Sequence, residues 1–345
     1  MSDNASGPAA APAPELLEEL RREQRMGGAG TEDAARSIPV IDLSEGVHSQ
    51  AEIDDLLWDA AENHGFFQLV GHGFGAAELD RAFAMAQAFF ELPREVKQQY
   101  PLREASNAGW EYMAQVRPST GTADHKESYQ VTRPRMDGLW PDDEELAGFR
   151  EAMLLFEAKA WRLAMRVLSS FARKLGFADD FFTAAHDPSS PRYQSTLRLL
   201  HYFGSEGGDT PGGQWRAGAH TDFDCLTLLF QRDGQGGLQV CPGKERESGA
   251  WTPVPPDSAR ITCNIGDMLM RWSDDQLRST LHRVRMPLAG EDAGDRYTLA
   301  FFAQANCDQL IRGPQEKYPP ILARDYLNQR IGANFAALQA HDDAS

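Results

Sequence analysis

Four β-like runs between Ala217 and Phe302 constrain this chain most: AGAHTDFDCLTLLFQ, ITCNIGDMLMRW, STLHRVRMP and RYTLAFF. Residues i and i+2 of a strand point to one face, so His220 and Asp222 can reach a common point while Thr221 turns away. His282 opens an alternating run, HRVRM, 60 residues after Asp222, and Arg296 and Thr298 stand at i and i+2 of the last run. Side chains so distant in sequence can act together only if the strands fold back over one another as a sheet.

Two imidazoles and one carboxylate form the ligand set that covers one face of an octahedral iron(II) and leaves the other face open. The same residue types also suit zinc with three protein ligands and a water, so the ligands alone do not choose the metal. Arg296 and Thr298 bear on that choice. A planar guanidinium donates two charge-assisted hydrogen bonds to a carboxylate, and a neighbouring hydroxyl adds a third. An arginine on an inward strand face is otherwise expensive to bury. The pair therefore reads as a carboxylate receptor.

These motifs together resemble the isopenicillin N synthase-like branch of the iron(II)/2-oxoglutarate-dependent oxygenase superfamily. The residues that carry the resemblance are His220-x-Asp222, Ile265-Gly266-Asp267 followed by His282-Arg283-Val284, and Arg296-x-Thr298. IPVIDL at 38 to 43 and NHGFFQLVGHG at 63 to 73 extend it over nearly the whole chain after Arg36. Two departures stand out. Relatives usually write Arg-x-Ser where Thr298 keeps the hydroxyl, and Asn-x-Tyr where this chain has Leu200-His201-Tyr202.

The resemblance implies an enzyme in which His220, Asp222 and His282 are the catalytic ligands of Fe(2+). It implies that Arg296, Thr298 and Tyr202 hold the far carboxylate of 2-oxoglutarate, that O2 takes the remaining position, and that ascorbate stimulates turnover. The reaction it implies is hydroxylation, desaturation or related oxidation of an unactivated C–H bond in a small molecule of secondary metabolism. In that reaction 2-oxoglutarate becomes succinate and CO2. Substrate contacts are expected from Trp110, Tyr112, Phe223, Phe302 and Gln304. Three rival readings share the scaffold: an isopenicillin N synthase-type oxidase that uses no 2-oxoglutarate, an ethylene-forming type that fragments it, and an inactive binding module.

Short strands at frequent spacing, with helices concentrated before them, predict an α+β fold. Its core is a double-stranded β-helix of jelly-roll, cupin-like type, braced by N-terminal helices and a C-terminal helix. Residues 1–36 read as a disordered leader with a short helix from Pro14 to Met26, and 37–190 as a helical and mixed region. Residues 191–310 read as the catalytic core and 311–345 as the C-terminal helix and tail. No Pro/Gly/Ser-rich linker divides 38–337, so 37–337 is expected to be one structural domain. Apolar periodicity places helices at Ser49–Asn63, Ala76–Leu92, Glu144–Gly176 and Leu322–Phe335; IPVIDL reads as a short strand and FFQLV as a buried one. Tyr100 to Pro141 reads as irregular, DMLMRW as a continuation of the sheet, DGQGG at 233 to 237 as a turn, and the Gly-rich segment at 204–214 as a lid.

A formal charge of −17 and a pI near 4.9 speak against nucleic acid, whose phosphates demand basic patches. The 4 cysteines lack the close paired spacing of zinc or redox motifs and read as reduced core thiols of a cytoplasmic protein. Neither a secretory signal nor an apolar stretch long enough to cross a bilayer is visible, so no membrane partner is expected. The expected assembly is a monomer or homodimer.

Overall fold

The computed structural model describes residues 30–103, 106–116, 122–204, 215–241 and 249–342, with side chains up to residue 332. The helix expected at Pro14 to Met26, and the lid expected at 204–214 beyond its first residue, lie outside the described residues. Two sheets face each other. The smaller has order β1-β10-β9-β12-β7, from β1 (Thr31–Glu32), β7 (Ala217–His220), β9 (Leu238–Val240), β10 (Ala250–Pro253) and β12 (His282–Val284). The larger has order β2-β3-β11-β8-β13-β6-β5-β4. Its strands are β2 (Val40–Asp42), β3 (Phe66–Val70), β4 (Gly109–Tyr112), β5 (Lys126–Val131), β6 (Thr196–Tyr202), β8 (Leu226–Gln231), β11 (Ile261–Ile265) and β13 (Arg296–Ala303).

Strand parity gives the larger sheet two different faces. Leu197, Leu199, Leu228, Phe230, Cys263, Leu299 and Phe301 pack on the helical side in one large apolar cluster. On that side lie α1 (Gln50–Asn63), α2 (Ala76–Glu91), the short α3 (Arg94–Lys97) and α4 (Phe149–Leu175). Leu200, Tyr202, Ala300 and Phe66 point the other way, against Ala217, Leu238, Val240 and Val284 of the smaller sheet. The result is an α+β molecule with a jelly-roll core, braced by helices on one face. Because the larger sheet is covered on both sides, its central strands read as near-continuous apolar runs broken by single polar residues.

Local signals explain the helix limits. Ser49 and Glu52 form a capping box at the start of α1. Gly176 ends α4 at φ 79°, a left-handed cap that glycine adopts without a Cβ penalty. Four expectations need correction. The end of the expected disordered leader forms β1, whose backbone pairs in parallel with β10, so Thr31 and Glu32 belong to the smaller sheet. DMLMRW is a helix, α6 (Asp267–Trp272), which follows the short α5 (Phe181–Ala185) in chain order. A six-residue apolar run does not declare its period, and this one buries Met268, Leu269 and Trp272 at helical spacing behind Gly266. The Tyr100 to Pro141 segment is not wholly irregular, since β4 and β5 extend the larger sheet. Their mixed polar residues hide the alternation because both faces of β5 are buried. The last helix, α7 (Ala323–Asp342), runs past its expected end.

Candidate metal centre and cosubstrate pocket

The register of the smaller sheet builds the site. β7 ends at His220 and β12 begins at His282, and the two residues face each other in the antiparallel pair. Their rings lie 4.3 Å apart. His220 donates from Nδ1 to Gly218 O at 2.7 Å, and His282 Nδ1 lies 3.4 Å from Thr280 O. Each ring thus turns Nε2 toward the same point, the arrangement by which outer hydrogen bonds fix the tautomer of a metal-binding histidine. Asp222 Oδ1 lies 3.8 Å from Nε2 of His220 and 3.7 Å from Nε2 of His282.

Asp222 sits two residues past the end of β7, so strand alternation alone does not aim it. Its Oδ2 accepts hydrogen bonds from Thr227 Oγ1 at 2.6 Å and Asn264 Nδ2 at 2.8 Å, which leaves Oδ1 toward the histidines. Its carbonyl accepts from the Asp267 amide at 2.8 Å, fixing the loop against the start of α6. A side chain on Gly266 would collide here, because a Cβ would lie 2.2 Å from Asp224 O. One ligand atom from each of the three residues falls within 4.8 Å of the others, the sole such group among the described residues.

A second feature lies on the inner face of the larger sheet, where Arg296 pairs across to Tyr202 and Thr298 to Leu200. Arg296 is 1% exposed. Its Nε donates to Gln235 O and its Nη2 to Gln231 Oε1, both at 3.0 Å, and the guanidinium lies 4.8 Å from the Tyr202 ring centre. No acidic side chain pairs with it among the described residues. Burial pulls its pKa below the ordinary arginine value, while Tyr202 opposes that shift. Beside it, the buried Thr298 Oγ1 has no hydrogen-bond partner. A buried cation and an unsatisfied hydroxyl, side by side, are costly unless an anionic group comes to them. A carboxylate-bearing cosubstrate fits that donor set.

The expected substrate contacts divide. Phe302 lies on the inner face, opposite Thr227 and Thr196. Gln304 is buried just beyond β13, with its Oε1 lacking a partner. Phe223 follows Asp222 and has the Arg330 guanidinium 4.9 Å from its ring centre. Trp110 and Tyr112 are not brought to this group. Pairing of Trp110 with Tyr129, and of Tyr129 with Leu199, sets them on the helical face. There the Trp110 indole donates to Glu127 at 2.7 Å.

Sequence reasoning missed several inner-face residues. Thr227, Gln231 and Asn264 are single polar residues within LTLLFQ and ITCNI, and that interruption of an apolar strand was the available signal. Arg198 and Glu111 belong to the same face, and Arg330 reaches the ligand loop from α7. Nothing local marks those three, because only the register and the return of the last helix bring them in.

Residues 193–305 match the family described as the 2OG-Fe(II) oxygenase superfamily, and 38–149 match the non-haem dioxygenase N-terminal region named for morphine synthesis. Proline hydroxylase buaE of Petromyces alliaceus is 33% identical, covering 78% of this chain and 86% of its own length. The chain belongs to the 2OG-Fe(II) oxygenase superfamily. A second relative of this oxygenase is the 2-oxoglutarate-Fe(II) type oxidoreductase ppzD of Metarhizium rileyi, 30% identical over 86% of this chain and 91% of that protein. Among solved structures, a full-length Neurospora crassa protein in complex with alpha-KG superposes with a TM-score of 0.75 at 30% identity, covering 88% of this chain and 99% of that one. The oxygenase is therefore a non-haem dioxygenase that uses iron(II), 2-oxoglutarate and O2. Among the described residues no helix is long and apolar enough to cross a membrane.

Proposed function

We propose that this dioxygenase oxidises an unactivated C–H bond of a small molecule of secondary-metabolite type, by hydroxylation or desaturation, while 2-oxoglutarate becomes succinate and CO2. His220, Asp222 and His282 hold the iron, which when bound activates dioxygen for attack on carbon. Tyr202 supports Arg296, and Arg296 with Thr298 takes the far carboxylate of the diacid. Phe302, Gln304 and Phe223 border the space left for substrate, while Trp110 and Tyr112 lie on the helical face, away from it. The chain's own contribution is orientation: it presents the target carbon between the two sheets, beside the three ligand residues.

The observation that carries the reading is the unpartnered Thr298 hydroxyl beside the fully buried Arg296, on the sheet face that also supports Asp222. Relatives point the same way: curated fungal ones bear the names proline hydroxylase and 2-oxoglutarate-dependent dioxygenase. The proposal treats residues 37–337 as one structural unit and the four thiols as reduced, in a cytoplasmic monomer or homodimer. All four cysteines are free, three of them buried.

The test is incubation of purified protein with iron(II), ascorbate and 2-oxoglutarate across a compound panel. Succinate is followed together with oxidised product. Equimolar succinate and product support the reading. Product without succinate would assign an oxidase of the isopenicillin N synthase type, and ethylene without any added substrate would assign 2-oxoglutarate fragmentation.

A further inference from the structure

The inner face of the larger sheet carries charged residues that neither the metal nor the diacid uses. Across the strands, Glu111 pairs with Ser128, Ser128 with Leu200, and Leu200 with Thr298. One row along, Gln130 pairs with Arg198 and Arg198 with Ala300. Arg198 therefore stands one strand away from β13, between the rows of Thr298 and Phe302. The cosubstrate receptor lies on one side of it and, through Phe302 and Thr227, the support of Asp222 on the other.

The bonding of this pair is specific. Arg198 bonds Glu111 Oε1 through Nη2 and donates from Nε to Ser128 Oγ at 3.2 Å. Nη1 makes no hydrogen bond among the described residues. Glu111 Oε1 is engaged further by Ser128 Oγ at 2.6 Å, Gln115 Nε2 at 2.9 Å and Gln130 Nε2 at 3.4 Å. Oε1 of the carboxylate is thus occupied inside the wall. What the wall offers is one guanidinium edge, a donor whose charge is already balanced. The neighbouring Lys126 and Asp124 are balanced as well, 2.7 Å apart. A ligand carboxylate at Arg198 would meet the Glu111 charge, and like charges close together in a buried site cost several kcal/mol. A neutral carbonyl oxygen meets no such opposition.

We propose that Arg198, held by Glu111, is a substrate subsite for the carbonyl oxygen of a small neutral molecule such as an amide, lactam or cyclic imide, with Phe302 as the flat apolar surface beside it. The inference rests on the dioxygenase reading above and names the substrate class of that site. The Neurospora crassa structural relative, at 30% identity, has been solved with alpha-KG and thymine.

The test uses matched pairs, each a neutral cyclic amide or imide and the carboxylate of equal carbon count, scored by stimulated succinate release. Neutral members should stimulate the wild type. Arg198→Leu should raise KM for them about ten- to a hundredfold, the cost of a hydrogen bond to a charged donor, with kcat changed less. Glu111→Gln keeps the shape and removes the opposing charge, so it should shift the preference toward the carboxylate members at least tenfold. Stimulation by carboxylates alone in the wild type, or an unaltered preference in Glu111→Gln, overturns the subsite and leaves the dioxygenase reading standing. No succinate from any member, with no 2-oxoglutarate binding to Mn(II)-loaded protein by calorimetry, overturns both.

Discussion

Replacing Arg330 by methionine tests how firmly α7 is tied to the ligand loop. Arg330 and Asp267 are each 1% exposed and form an ion pair at 2.6 Å. Arg330 Nη2 also donates to Thr221 Oγ1 at 3.2 Å, and Thr221 donates to Asp267 Oδ2 at 3.0 Å. Thr221 separates His220 from Asp222, so one buried network joins the last helix to two ligand positions. Burial pushes the Asp267 carboxyl up, Arg330 pulls it down, and Asp222 nearby pushes it up again. Without the arginine this carboxylate is left uncompensated in the interior, a loss of about 3–5 kcal/mol. Removing both charges in Asp267→Asn/Arg330→Met leaves no unpaired ion, and the double variant should recover much of that loss. Urea unfolding of the wild type, both single variants and the double variant gives the coupling. Mn(II) affinity, read by electron paramagnetic resonance, should fall about ten- to a hundredfold in Arg330→Met, the usual effect of disturbing a ligand's support. A single variant within about 1 kcal/mol of wild type, or strictly additive losses, would refute the argument, since truly buried partners cannot be independent.

Asp222→Ala should abolish turnover and Mn(II) binding, whereas Arg296→Ala should keep the metal and weaken 2-oxoglutarate by about 2 kcal/mol or more in calorimetry. Asn264→Leu leaves Asp222 Oδ2 with the Thr227 donor, and Mn(II) affinity should drop about tenfold. His186 is buried with Nδ1 2.7 Å from Phe182 O, and desolvation pulls its pKa from 6.5 to about 4. Between those values the unfolded chain takes up a proton that the folded chain refuses, so the folded state loses stability as pH falls from 6.5 to 4. The loss should reach about 3 kcal/mol relative to His186→Gln, in urea titrations across that range. A difference independent of pH would mean that the imidazole is not held neutral.

The chemistry was more legible than the architecture around it. The grouping of His220, Asp222 and His282, and of Arg296 with Thr298, was legible because metal and carboxylate chemistry demands particular side chains, here at i and i+2 spacings with one distant histidine. The long helices were legible because 3.6-residue periodicity persists over many turns, as in α4. Short elements were not: ITCNI and DMLMRW are adjacent apolar runs of similar length, yet one is β11 and the other α6. Nor could the sequence tell which face Trp110 and Tyr112 would take, since a shift of one residue in β4 exchanges the two faces. Glu111, between them, is the residue that parity turns inward.

Polar side chains on the inner face differ in how well their burial is compensated. Asn264, Thr227 and Gln231 are buried and each bonds to a neighbour, so their burial costs little. Thr298 Oγ1 differs, being buried and unpartnered beside a cation. If its place in the fold were purely structural, valine of nearly equal shape would serve better, because an unsatisfied buried hydroxyl costs roughly 1–3 kcal/mol. Thr298→Val should therefore raise the stability of the protein without cosubstrate by about 1 kcal/mol in urea unfolding, and weaken 2-oxoglutarate in calorimetry. A variant that is less stable and binds the diacid as before would show that the hydroxyl serves the sheet and not the cosubstrate, and would leave Arg296 without the neighbour that makes it a receptor.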